Sequence, residues 1–267
     1  CNICKNSKFE IICDKDRYGF EMKTQICENC GYMFTNPSFS DEFYNKLYNS
    51  HFRNIYSRDI RNPDENFFKL ERYRGLEIIN LLSKKKLLDQ IHKSLDVGCG
   101  SGASADVFSD YFNLVEAIDY DSEYFKLSRN KKNIFFSERS IFDSYFDNRK
   151  YDFINYCHVF EHLKKPLKEL KRIKEILSNK GYLYIEVPGI YSVDKWYDGN
   201  FFHSLHIAHT QHFTLNTLKN MMLQNGFKLI YGDEMIRSIW THGSNENNFS
   251  IKNEYIIIKK KLKYNDK

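Results

Sequence analysis

The chain has 267 residues, 42% of them hydrophobic and 16% aromatic, and its 40 basic and 35 acidic residues give a net charge of +5. That supplies a core for one catalytic domain with a small appendage. The lysines are scattered instead of gathered into a nucleic-acid patch, no apolar run reaches the roughly 20 residues needed to cross a bilayer, and the polar start at Cys1 predicts no signal peptide.

Residues 1–38 are rich in Cys, Gly, Lys and Asn, with β-like runs at Phe9–Cys13 and Thr24–Cys27, and Asn36-Pro37-Ser38 closes them off. Ser40 then reads as the N-cap of a helix with Phe43, Leu47 and Tyr48 on one face. A longer helix is expected over Asp64–Leu82, its apolar stripe formed by Phe67, Leu70, Tyr73, Leu76, Ile78 and Ile79. A basic linker, Lys84–Lys86, follows.

From Ser94 strands and helices alternate. Strands are expected at Leu95–Val97, Leu114–Ile118, Ile134–Phe136, Tyr151–Tyr156 and Tyr182–Val187. Helices are expected at Ala103–Phe112, Ser122–Arg129, Pro166–Leu177 (ended by Asn179-Lys180-Gly181) and Leu215–Asn225 (ended by Gly226). Phe227–Tyr231 and Tyr255–Lys260 read as the last two strands. This alternation predicts an α/β, Rossmann-like fold, a mainly parallel sheet with helices on both faces.

The segment Leu95-Asp-Val-Gly98-Cys99-Gly100-Ser-Gly102 runs a buried strand into a glycine turn that opens a helix. Glycines permit the turn and the close approach of a ligand to the backbone. Gly98-x-Gly100-x-x-Ala103 also satisfies a loose dinucleotide pattern. Asp96 argues against that ligand, because a carboxylate beside a pyrophosphate repels it. Against a sulfonium with a cationic amino group it is useful. Asp119, at the end of the second strand, suits the hydroxyls of a ribose.

The loop resembles motif I of the class I S-adenosylmethionine-dependent methyltransferases. The likeness continues through Glu116-Ala-Ile-Asp119, Tyr151-Asp-Phe-Ile-Asn155, Val159-Phe-Glu161-His162-Leu-Lys-Lys-Pro166 and Asn179-Lys-Gly-Tyr-Leu-Tyr-Ile-Glu-Val-Pro188. It implies a seven-stranded mixed sheet whose last strand is antiparallel. The cofactor residues it implies are Asp96, Gly98, Cys99, Gly100 and Gly102 on the loop, with Asp119 and Tyr120 after the second strand. Ser140 and Ile141, in Glu138–Ile141, would lie near the adenine, and Asn155 and Cys157 under the methionine part.

Cys1-x-x-Cys4 and Cys27-x-x-Cys30 are two thiol knuckles able to close a tetrahedral structural zinc site. A segment this short has little core of its own, so metal would supply much of its folding free energy. Cys27-x-x-Cys30-Gly-Tyr-Met-Phe-Thr-Asn-Pro37 resembles the front of zinc-containing bacterial methyltransferases of sugar modification. Sugar C-methyltransferases of that kind carry a further C-terminal domain, and this sequence stops soon after its last expected strand. The expectation is therefore O- or N-methylation. The implied organisation is a zinc-binding module over 1–38, a helical linker or lid over 39–93, and a catalytic domain over 94–267 with a substrate-side insertion at about 189–214.

Methyl transfer to oxygen or nitrogen needs alignment and often a base, and histidine has a suitable pKa. The candidates are His158 and His162 after the fourth strand, and His209 and His212 in the run His203, His206, His209, His212. His158-x-x-Glu161-His162 is also similar to the metal-assisted E-x-x-E-H segment of quinone O-methyltransferases, with His158 in place of the first Glu. Tyr191, Trp196, Tyr197, Phe201 and Phe202 precede the histidine run and suit a sugar ring. The leading expectation is a cytoplasmic methyltransferase of nucleotide-sugars or cell-surface polysaccharide precursors. The alternatives are a zinc-containing RNA methyltransferase and a zinc-bearing binding protein without turnover.

Overall fold

The computed structural model describes residues 1–51, 55, 65–120, 131–197, 199–243 and 251–263, without the side chains of 49, 50, 65–67, 194, 196 and 263. In chain order the strands and helices are β1 (Phe9–Lys15), β2 (Glu21–Cys27), β3 (Met33–Thr35), α1 (Asp41–Lys46), α2 (Glu65–Lys84), β4 (Lys93–Val97), α3 (Ala103–Phe108), β5 (Leu114–Ile118), β6 (Ile134–Ser137), β7 (Tyr151–Cys157), α4 (Pro166–Ile176), β8 (Leu177–Glu186), β9 (Gln211–His212), α5 (Leu215–Gln224), β10 (Phe227–Gly232), β11 (Arg237–His242) and α6 (Tyr255–Lys263). Single helical turns at Ile190–Ser192, Val193–Trp196 and Phe201–Ser204 fill the stretch between β8 and β9.

Seven strands form one mixed sheet in the order β10-β11-β8-β7-β4-β5-β6. A four-stranded sheet has the order β1-β2-β3-β9. This is the Rossmann-like arrangement the alternation predicts; the antiparallel pairing of the last strand, β11, with β10 is what the methyltransferase resemblance implies. The chain divides into two compact units, one of Cys1–Phe39, Cys157–Lys171 and Tyr184–Lys267, the other of Ser40–Tyr156 and Arg172–Leu183.

In the second unit β4 lies parallel between β5 (Leu95↔Glu116) and β7 (Leu95↔Ile154). Ser94–Val97 and Val115–Ile118 are each wholly buried, as befits parallel strands covered on both faces. Phe108, Phe112 and Phe153 pack ring against ring beside them. In the first unit the small sheet is antiparallel throughout, and β3 pairs with a strand far along the chain (Met33↔His212).

Several boundaries differ from expectation for local reasons. Ser40 caps α1, its Oγ accepting from Phe43 N at 3.0 Å. The α2 face that is buried carries Gly75, Ile78, Ile79 and Leu82, while Leu70 and Tyr73 are exposed. Gly75 turns that face inward: a β-carbon there would lie 3.1 Å from Ser104 Cα, so helix meets helix backbone to backbone. The helix expected to reach Phe112 ends at Phe108, where Ser109 Oγ donates to Asp106 O at 2.6 Å and competes with continuation. After α4 the chain enters β8 directly at Leu177, so Asn179-Lys180-Gly181 is strand and not a helix stop. Ser178 Oγ, held to Asp152 Oδ1 at 3.0 Å, fixes that entry.

The largest correction is at the end. Tyr255–Lys260, expected as a strand, belongs to helix α6. Ile258 and Leu262, four apart, are buried while Ile256 and Ile257 face out, and Asn253 Oδ1 caps Tyr255 N. The strand that completes the sheet is β11, whose buried centre is Ser238-Ile239-Trp240. The helix expected over Ser122–Arg129 lies outside the described residues.

Candidate active site

The glycine loop after β4 stands in left-handed backbone at Gly98 (φ 65°), Gly100 (φ 53°) and Gly102 (φ 76°). Only glycine adopts that conformation without strain. Cys99 N donates to Ile118 O (3.0 Å), and Gly102 N to Cys99 O (2.8 Å). Gly100 N donates to Asp119 Oδ2 (2.8 Å), so the aspartate at the end of β5 also braces the loop. A β-carbon on Gly100 would meet nothing within 4 Å, so the space above the loop is open.

Beneath it, Asp96 is buried. Its Oδ1 accepts from Asn155 Nδ2 at 2.7 Å, and Oδ2 has no hydrogen-bond partner. Burial pushes its carboxyl up to about 7; the Asn155 bond opposes this, and the charges of Asp119 and Glu71 add to it. A buried carboxylate with one oxygen unsatisfied fits a cationic ligand group, and the open space over Gly100 fits a ligand lying on the loop. These two observations suit S-adenosylmethionine. Of the other expected cofactor residues, Tyr120 is exposed, Ile141 is buried with its carbonyl held by Arg172 Nε (2.7 Å), and Ser140 Oγ accepts from Phe142 N (3.3 Å). Cys157, two residues beyond Asn155 on β7, belongs to the first unit.

In the first unit three of the four expected histidines meet around one carboxylate. Oε1 of Glu161 lies 3.5 Å from His158 Nδ1, 3.8 Å from His162 Nε2 and 4.0 Å from His209 Nε2. The His212 ring lies 6.3 Å from that of His209. His158 holds left-handed backbone (φ 55°), and its Nε2 is 3.6 Å from Glu186 Oε1. His162 donates Nδ1–H to Ala208 O (2.9 Å) and His209 donates Nδ1–H to Ser204 O (3.0 Å), since a carbonyl can only accept. Burial holds His162, His206 and His209 below the usual imidazole value and takes His212 down to about 4, so all four are neutral at pH 7. A cleft lined by Glu161, Tyr197, Phe201, His209 and His212 opens beside them.

Sequence reasoning singled out the histidines and met Glu161 only within motif likenesses such as E-x-x-E-H, not as the carboxylate on which three of them converge. The Glu161-His162 pair was the available signal; the burial that makes Glu161 significant comes from Thr210 and Gln211, folded over the turn after β7 and bonded to Glu161 O and Leu163 O.

The four N-terminal cysteines form one cluster. Cys1 Sγ lies 3.6 Å from Cys30 Sγ, Cys4 Sγ lies 3.4 Å from Cys27 Sγ, and all four sulfurs fall within 4.8 Å of one another. A tetrahedral zinc with bonds of about 2.3 Å holds sulfurs about 3.8 Å apart, so the donor set and spacing fit that ion. Gly31 (φ 79°) follows the second knuckle so closely against α6 that a β-carbon would sit 2.8 Å from Glu254 C and Tyr255 N.

No curated protein matches the chain. Among solved structures, an S-adenosylmethionine-dependent methyltransferase from Clostridium acetobutylicum aligns with a TM-score of 0.51 at 12% identity, over 76% of this chain and 100% of that one. The N-methyltransferase NodS from Bradyrhizobium japonicum, in complex with S-adenosyl-L-homocysteine, aligns at 0.49 and 15%, over 73% and 95%. YcgJ from Bacillus subtilis aligns at 0.41 and 18%, over 53% of this chain and 64% of that chain. The first of these supports the fold seen here. A family model described as a methyltransferase domain matches residues 67–231, which take in the glycine loop, Asp119 and all four candidate histidines. The chain belongs to the methyltransferase-domain family.

Proposed function

We propose that this chain transfers a methyl group from S-adenosylmethionine to an oxygen or nitrogen of a nucleotide-sugar or cell-surface glycan precursor. The observation that carries the reading is the glycine loop joined to a buried, half-unsatisfied Asp96, within the residues matched by the family. Bound S-adenosylmethionine supplies a methyl group on a cationic sulfur, open to direct displacement. Asp96 holds the cationic end, Gly98 to Gly102 cradle the cofactor, and Asp119 accepts from the ribose. Tyr120, Ser140, Ile141, Asn155 and Cys157 complete the set in this reading.

On the acceptor side, His162 and His209 direct Nε2 at Glu161, whereas buried His212 Nε2 has no hydrogen-bond partner. In this reading His212 takes the acceptor's proton, and His158, His162 and His209 shape the site. The cleft as it stands admits about one water-sized body, so acceptor entry requires it to widen. The cysteine cluster holds a structural zinc, and residues 1–38, 39–93 and 94–267 act as zinc module, helical linker and catalytic domain. The enzyme works in the cytoplasm. Among the described residues no helix is long and apolar enough to cross a membrane.

The test is transfer of labelled methyl from S-adenosylmethionine into a host extract, fractionated into RNA, soluble metabolites and glycan. Label in metabolite or glycan, insensitive to nuclease, is expected. Label in nuclease-sensitive material would refute the sugar acceptor and make the cysteine module a candidate RNA-docking surface.

A further inference from the structure

Glu161 is 2% exposed, and neither carboxylate oxygen has a hydrogen-bond partner. A buried carboxylate left unpaired is strongly disfavoured unless a cation or a proton compensates it. The nearest candidates to compensate it are imidazoles, and two of them are held the wrong way round. Ala208 O and Ser204 O take the Nδ1–H of His162 and His209. Each neutral ring therefore presents the lone pair of Nε2 to Oε1 of Glu161, at 3.8 and 4.0 Å. Three Lewis bases converge there, and the two imidazoles bring no hydrogen to share.

We propose that Glu161, His162 and His209 form a binding site for a divalent first-row transition-metal ion. Nδ1–H bonds to backbone carbonyls are the outer contacts that fix the tautomer and aim of metal-bound histidines. The three donor atoms already lie within 4.8 Å of one another. Two metal–ligand bonds of about 2.1 Å span about 3.4 Å at a tetrahedral angle, so each imidazole closes on Glu161 by about half an ångström on binding. Two imidazole nitrogens and one carboxylate oxygen suit zinc and its neighbours in the first row; calcium and magnesium favour all-oxygen sets. Three protein ligands leave a position open, and the cleft bounded by Tyr197, Phe201 and His212 provides the room for an oxygen donor there. The inference does not depend on which molecule is methylated.

The rival occupant is a proton. His158 Nδ1 is nearer to Glu161, at 3.5 Å, and its Nε2 lies 3.6 Å from Glu186, so an imidazolium there would sit between two carboxylates. Cobalt(II) titration of the metal-depleted full chain separates the cases, because thiolate ligation gives an intense sulfur-to-metal charge-transfer absorption that nitrogen and oxygen ligation lacks. The wild type is expected to take up two equivalents, one with that absorption and one without. Glu161→Gln and His209→Ala should each lose the second and keep the first. Without metal, Glu161→Gln should unfold at a higher temperature than the wild type, since the amide removes the unpaired charge; saturating cobalt should reverse that order. A wild type that binds only the thiolate-ligated equivalent, or a Glu161→Gln chain that still binds two, would overturn the proposal, and the first result would assign the compensating charge to His158.

Discussion

Replacing Asp96 by asparagine isolates the electrostatics of the cofactor loop. In the folded chain without ligand its carboxyl is raised from 3.8 to about 7, chiefly by burial. The native state therefore binds this proton more tightly than the unfolded chain, and stability falls as pH rises from about 4 through about 7. By pH 8 that loss amounts to roughly 4 kcal/mol. Asparagine keeps the acceptor for Asn155 Nδ2 and removes the charge, but places an amide NH2 where Oδ2 was unsatisfied, which costs about 1–3 kcal/mol. The variant should be more stable than the wild type by about 1–3 kcal/mol at pH 8, and the gain should vanish or reverse at pH 5. Urea unfolding of the cofactor-free protein at both pH values measures this. A cationic ligand favours the ionised form, so wild-type affinity for S-adenosylhomocysteine, whose amino group is charged, should rise between pH 6 and pH 8, and the variant should lose that rise. A variant less stable at pH 8, or equally displaced at both pH values, would refute the reasoning.

Gly100→Ala should cost only about 1–2 kcal/mol from left-handed backbone, because its β-carbon meets nothing, yet weaken S-adenosylhomocysteine binding at least roughly tenfold by filling the space over the loop. Gly31→Ala combines a φ of 79° with 2.8 Å contacts to the backbone at Glu254 and Tyr255, so thermal unfolding should show a loss above about 3 kcal/mol. His212→Ala should lower kcat by about 10²–10⁴ while leaving S-adenosylhomocysteine affinity unchanged; unchanged turnover would remove His212 as the base. Cys27→Ser, or a strong chelator, should abolish the β-sheet signal of the N-terminal segment in circular dichroism, and a segment that keeps its signal would argue against a metal-dependent fold.

Local signals made most of the α/β core legible. Four consecutive buried residues in β4, the glycine turn and the amphipathic α4 all act within a few residues of themselves. The failures came where distant chain decides. Ile256-Ile257-Ile258 has the composition of a strand, but burial of Ile258 and Leu262 makes it a helix. Arg237–His242 carries no strong alternation to mark it as a strand, although Trp240 lies fully buried at its centre with Nε1 bonded to Ser238 Oγ. Leu70 and Tyr73 looked like core and are exposed, because a single glycine, Gly75, sets the buried face of α2. For the site, residue types on the loop and in the histidine run were readable. The convergence on Glu161 was not, since it depends on chain around residue 209 folding over residue 161.

The pairing of β3 with β9 also bears on how the protein is made. Met33 and Phe34 find their strand partners in His212 and Gln211, and Thr35 N bonds Thr210 O. On a ribosome adding about 5–20 residues per second, those partners emerge roughly 10–35 s after β3 does. For that interval the nascent N-terminal sheet presents an open edge, the kind of surface that recruits other strands, next to two pairs of thiols. Early capture of a metal by Cys1, Cys4, Cys27 and Cys30 would hold the first three strands in register, and would mask the thiols until the closing strand arrives.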